Sequence, residues 1–87
     1  MAIPVILHND AICDLFVSVT DLNVAGSPQT VTNLRVNEGQ EFPMAVQEDG
    51  DGHGNITWSA QRTDDPTMNK QETRRVDAGD RISVTAS

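Results

Sequence analysis

The stretch Ile12-Cys13-Asp14-Leu15-Phe16-Val17-Ser18-Val19-Thr20-Asp21-Leu22 admits two readings, and the choice between them sets the fold class. With a period of two, Cys13, Leu15, Val17 and Val19 share one face and Asp14, Ser18 and Thr20 the other, Phe16 being the exception. With a period of about 3.6, Ile12, Leu15, Phe16, Val19 and Leu22 form a stripe behind an Asp10 cap. The cluster Val17, Val19, Thr20 decides for a strand, because a side chain branched at Cβ loses rotamer freedom on a helix and packs well on a pleat.

The segments on either side agree. Ile-Pro-Val-Ile-Leu-His at 3–8 reads as a first strand, in which Pro4 points to a sheet edge or to the strand's first residues, and Asn9-Asp10 closes it. Gly26-Ser27-Pro28 is a break, after which 31–36 forms a strand with Leu34 and Val36 inward, turned by Asn37-Glu38-Gly39-Gln40. At 41–47, Phe42, Met44 and Val46 share a face with Pro43 on the other, so this too is expected at an edge. Ile56, Trp58 and Ala60 alternate with Thr57, Ser59 and Gln61, with Trp58 turned inward as the largest core anchor. Asp65 as a cap and Pro66 after it suggest one short helical turn near 65–72 or an ordered loop, since Met68 is the one apolar residue there; a weak strand through Val76 follows. Asp77-Ala78-Gly79-Asp80 makes a tight turn into a last strand with Ile82, Val84 and Ala86.

These segments predict an all-β protein: one domain over 1–87, a small antiparallel β-sandwich or barrel of 6–7 short strands. Nine Val, five Ile and eight Thr against four Leu and one Lys fit that class. A chain of 87 residues buries roughly 60–65% of its extended surface, a thin margin. One cysteine allows no internal disulfide, so contacts with a partner, a metal or a second copy are the expected supplement. Cys13 is expected to be a reduced, buried thiol. The start, Met-Ala-Ile-Pro-Val-Ile-Leu-His-Asn-Asp, has no basic segment of the secretory type, so cytoplasmic synthesis without a signal peptide is expected. No run of eighteen apolar residues is present to span a membrane.

A net charge of −7 argues against nucleic acid and anionic membranes as partners. The charge is unevenly spread: residues 1–61 hold eight acids and one base, whereas 62–87 hold five of each. All cations but Arg35 therefore lie in the last third. Lys70, Arg74 and Arg75 form a small basic cluster, read as a docking contact toward acidic surface on another copy or a scaffold, with Pro43 of the expected edge strand 41–47 a further contact.

Glu48-Asp49-Gly50-Asp51-Gly52-His53-Gly54-Asn55 is too rich in glycine for a strand or helix. Asp49, Asp51, His53 and Asn55 are its candidate ligand residues. From Asp49 to Ile56 it resembles the first eight positions of an EF-hand loop, Gly54 at the sharp turn, which implies a weak Ca²⁺ site at Asp49, Asp51 and Asn55. The pattern departs where it closes: Ala60 stands in place of the bidentate Glu, and no flanking helices are readable. No phosphate loop, serine elbow or zinc-ligand spacing occurs, and Cys13 on an apolar strand face is a poor nucleophile, so no catalytic residues and no cofactor are assigned. Two functional expectations stand. The first is a non-enzymatic assembly protein, most concretely a virion component such as a capsid decoration protein, a homo-oligomer or lattice-bound, acting through edge strands 3–8 and 41–47 and charge contacts. The alternative is a free-standing binding module using loop 48–55, with or without Ca²⁺, and Trp58 on a carbohydrate.

Overall fold

The computed structural model describes residues 2–26 and 29–86, so Ser27 and Pro28 of the expected break lie outside it. Seven strands follow in chain order: β1 Ala2–Asn9, β2 Leu15–Asp21, β3 Gln29–Val36, β4 Glu41–Gln47, β5 Gly54–Arg62, β6 Asn69–Val76 and β7 Arg81–Val84. They form a three-stranded sheet in the order β4-β1-β7 and a four-stranded sheet in the order β3-β2-β5-β6, consistent with a small β-sandwich. There is no helix among the described residues.

Alternation builds the core. Ile3, Val5 and Leu7 from β1, Val46 from β4, and Ile82 and Val84 from β7 face Leu15, Val17 and Val19 from β2, Ile56, Trp58 and Ala60 from β5, and Val36 and Val76 from the outer strands. Strand β2 takes the period-two reading, its odd-numbered residues buried. Cys13 lies in the bend before β2, half-buried rather than buried.

Four expectations change. Strand β1 is central rather than at an edge, and its pairing with β7 is parallel, from Ile6↔Arg81 to Asn9↔Val84. Pro4 is tolerated because its C=O accepts from Gly79 N–H at 2.7 Å. The nitrogen and carbonyl of a strand residue point to the same side, so the missing N–H faces the β6–β7 turn, where the ladder to β7 has not begun. Segment 65–72 holds no helical turn: Met68 N–H closes a turn on Asp65 C=O at 3.0 Å, Asp65 Oδ1 accepts from Thr67 N–H and Oγ1, and β6 starts at Asn69. Proline suits the second position of a turn as well as the first turn of a helix, and a polar segment has nothing to hold a helix in place. Leu34 sits opposite Val17 on the inner face but stays 40% exposed, since β3 is the outer strand of the wider sheet.

Two buried polar side chains tie the sheets together at opposite ends. Asn9, 1% exposed, donates from Nδ2 to Cys13 O and Val36 O at 2.9 Å each, and its Oδ1 accepts from Ala11 N–H at 2.8 Å. Asp21, 2% exposed, accepts from Asn23 N–H at 3.1 Å and from Gln47 N–H at 2.9 Å, joining the end of β2 to the end of β4. Both satisfy main-chain groups that the ladders leave over.

Candidate functional site

The loop between β4 and β5 is folded onto itself. Asp49 Oδ1 accepts from Asp51 N–H at 2.8 Å and from His53 N–H at 3.1 Å, while its Oδ2 accepts from Asn55 Nδ2 at 3.0 Å. These donors, the backbone N–H of His53 foremost, hold the Asp49 carboxyl below the ordinary aspartate range. A folded-state value below the unfolded one stabilises the fold above about pH 4, and that contribution is lost as the pH falls through the folded value. Asn55 also donates to Asn23 Oδ1 at 3.2 Å, and Asn23 Nδ2 donates to Gln47 O at 2.9 Å and His53 O at 3.2 Å. His53 Nδ1 pairs with Asp77 Oδ1. The fold thus brings Asp49, His53 and Asn55 together and adds Asn23 and Asp77, two residues the linear motif did not contain. Asp51 is exposed, with its N–H in the turn.

Such a loop is poorly disposed toward a cation. The oxygens of Asp49 face its own amides, and among the described residues no group of three or more His, Cys, Asp or Glu side chains could hold a metal ion. Gly54, placed at the sharp turn of the EF-hand pattern, is instead the first residue of a strand. Trp58 is 1% exposed and offers no face to a sugar ring. Its indole N–H is buried without a hydrogen-bond partner among the described residues, so its value lies in packing.

A second polar cluster lies on the outer face of the three-stranded sheet. His8 Nε2 is 2.8 Å from Asp10 Oδ1, and its Nδ1 lies 2.9 Å from Arg81 Nη2 and 3.2 Å from Glu41 Oε2. Arg81 also contacts Glu41 at 2.6 Å, and Ser83 Oγ donates to Asp10. A nucleophilic serine needs a base at its hydroxyl, with the carboxylate behind that base. Here the order is Ser83, Asp10, His8, so the imidazole never reaches the hydroxyl and the cluster serves to clamp β4, β1 and β7. Period-two reasoning alone places His8 and Ser83 outward; their meeting depends on the β1–β7 pairing, which local sequence does not reveal.

Cys13 lines a shallow cavity of about 240 Å³ between Ala11–Cys13, Thr85–Ala86 and Arg62. Arg62 is engaged elsewhere, forked onto Asp64 through Nε and Nη2 at 2.9 Å each, a pairing that lowers the Asp64 carboxyl and raises the guanidinium. Neither His8 nor His53 appears at this cavity, so the thiol has no histidine base there.

The cations separate into two sets. Arg35 pairs with Asp14 at 2.8 Å, Arg62 with Asp64 at 2.9 Å and Arg81 with Glu41 at 2.6 Å. Lys70, Arg74 and Arg75 make no side-chain hydrogen bond or ion pair with any other described residue, and all three lie on β6, an outer strand of its sheet. Pro43 lies exposed on β4, an outer strand of the other sheet, so the fold does not bring it together with these cations. Glu72, which the linear cluster passed over, stands between Lys70 and Arg74 on the same face of β6, half-buried and likewise without a described partner.

No family model, curated protein or solved structure matches the chain.

Proposed function

We propose that the protein is a non-enzymatic assembly protein that joins its neighbours through the β6 edge. The observation that carries this reading is the confinement of the three uncommitted cations to one outer strand, in a chain of net charge −7 whose other cations are all paired internally. An acidic molecule that leaves its free positive charge on one flank presents a directional contact, which sets orientation and excludes wrong partners more than it adds affinity. The small core that 87 residues can bury fits a chain that gains from association. A virion component such as a capsid decoration protein is the most concrete form of this class; that setting rests on the profile of the chain, an acidic β-scaffold with contact edges, rather than on any one residue. Loop 48–55 gives less support to a ligand-binding module, because its carboxylate and amide groups face one another.

The test is the Arg74→Glu, Arg75→Glu double variant, followed by light scattering on a sizing column across a concentration series. We expect the wild-type chain to exceed its 9.4 kDa mass and the variant to run as a monomer with an unchanged β-sheet circular dichroism spectrum. Association indifferent to this reversal would overturn the reading, and loss of association on Asp49→Ala with Asp51→Ala instead would move the contact to the loop.

A further inference from the structure

The four outer strands are not equally open. On β4, Ile6 N–H is directed to Asp80 O on the β7 side, which makes Ile6↔Pro43 a non-bonded pair and turns the proline nitrogen to the open edge. Gln47 N–H and C=O on that same edge are held by Asp21 Oδ2 and Asn23 Nδ2. On β3 the register to β2 shifts around Val17 to Thr20, and Asn33 adopts φ +48°. Strand β7 has four residues. These are the usual devices that keep an edge from pairing. Strand β6 has eight residues with no proline, no glycine and no register shift.

Its main-chain groups can be assigned. Arg62 N–H donates to Met68 O, so the bonded pairs with β5 continue as Ala60↔Lys70, Trp58↔Glu72 and Ile56↔Arg74. The N–H and C=O groups of Asn69, Gln71, Thr73 and Arg75 consequently face away from the sheet. The side chains of Lys70, Glu72, Arg74 and Val76 lie on the inner face, with Glu72 and Arg74 half-buried.

We infer that β6 pairs antiparallel with β6 of a second copy, with the two-fold axis at Thr73, joining the two four-stranded sheets into one. This rests on the assembly reading above and names its partner. The argument is one of register. With the axis at Thr73, Thr73 faces Thr73 and Gln71 faces Arg75 as bonded pairs, while Glu72 faces Arg74 twice as a non-bonded pair, the kind whose side chains stand closer. Each half-buried charge that lacks a described partner in the single chain thereby meets its opposite, and the contact closes on itself as a two-fold interface must. Moving the axis to Glu72 sets Glu72 against Glu72 and Lys70 against Arg74. Moving it to Arg74 sets Arg74 against Arg74. An axis at Gln71 is also complementary, Lys70 facing Glu72, but pairs only 69–73 of the strand, whereas the axis at Thr73 pairs 70–76. The alternation of charge along β6 therefore selects a register, which main-chain pairing alone does not.

The experiment uses the whole chain in three single variants. Glu72→Arg places two arginines opposite two arginines across the axis; Arg74→Glu places two glutamates opposite two glutamates. Mixed in equal amounts, the two variants complement each other at both crossings. Thr73→Pro removes an N–H that bonds nothing within the sheet. Expected by light scattering are a wild type at twice 9.4 kDa, both charge variants at 9.4 kDa, their mixture restored to the dimer mass, and Thr73→Pro at 9.4 kDa. A wild type monomeric at every concentration, or a dimer that ignores all three substitutions, overturns the pairing. If Arg74→Glu with Arg75→Glu dissolves the association while the mixture stays apart and Thr73→Pro associates normally, the cations meet an acidic surface elsewhere: the pairing falls and the assembly reading stands.

Discussion

Gly54 opens β5 fully buried, and a Cβ at this position would lie 2.7 Å from Val46 Cγ2, 2.8 Å from Val76 Cγ2 and 3.3 Å from Ile3 Cδ1. Those three methyls come from β4, β6 and β1, so the missing side chain is what lets both sheets close at the end that carries the acidic loop. The contacts are with short, stiff valines that have few rotamers to retreat into. Gly54→Ala is therefore expected to lower stability by about 1–3 kcal/mol, the usual cost of overpacking, as read from urea unfolding. A flexible loop glycine would give a change near zero, since alanine there removes freedom chiefly from the unfolded chain. The same residue shows how a motif can mislead. The linear pattern assigned Gly54 to a sharp metal-binding turn, but the positive φ of this loop belongs to Gly52, at 84°. Asn9 and Asp21 were equally silent in the sequence, because a buried amide and a buried carboxylate have no periodic signature; only the convergence of distant main-chain groups explains them.

At the scale of elements, Pro43 governs how open the β4 edge is. An edge proline with its nitrogen outward blocks a ladder rather than offering one, so Pro43→Val should open β4 and produce concentration-dependent aggregation at an unchanged unfolding midpoint or higher. Turbidity and static light scattering during storage would check this, and a variant as soluble as the wild type would leave the edge guarded by Asp21 and Asn23 alone. What was legible follows from the range of the interactions. Alternation in 12–22, 41–47 and 56–61 is local and marked β2, β4 and β5, because those strands each have one dry face and one wet one. Strand β6 was weakly legible because its inner face bears Lys70, Glu72 and Arg74 at the margin of the core, which erases the apolar alternation. The parallel β1–β7 pairing was not legible at all, since Pro4 pointed to an edge and the two strands lie at opposite ends of the chain. The basic cluster at Lys70, Arg74 and Arg75 is legible from the charge distribution, whereas Glu72 is not, because its charge cancels within the cluster.

For the molecule as a whole, association must overcome a monopole. Two copies at −7 each repel, and side by side their centres lie on the order of the 24 Å middle dimension of the fold apart. The screening length is about 30 Å at 0.01 M salt and about 10 Å at 0.1 M, so the repulsion is felt at the first and largely removed at the second. The Glu72–Arg74 crossings of the paired dimer behave differently: the charges are in contact and half-buried, hence screened far less. Ladder hydrogen bonds are indifferent to salt over this range. The dimer constant is accordingly expected to tighten as salt rises from about 0.01 to about 0.1 M, on the order of 10- to 100-fold from the point-charge energy, and then to level off. Sedimentation equilibrium at a series of salt concentrations reads this directly. Exposed cations on a remote acidic surface give the opposite slope, because the attraction itself is then what salt screens. A steady weakening with salt would thus take the contact away from the β6 ladder while leaving its arginines at the interface, the same division that the mixing of Glu72→Arg with Arg74→Glu makes by an independent route.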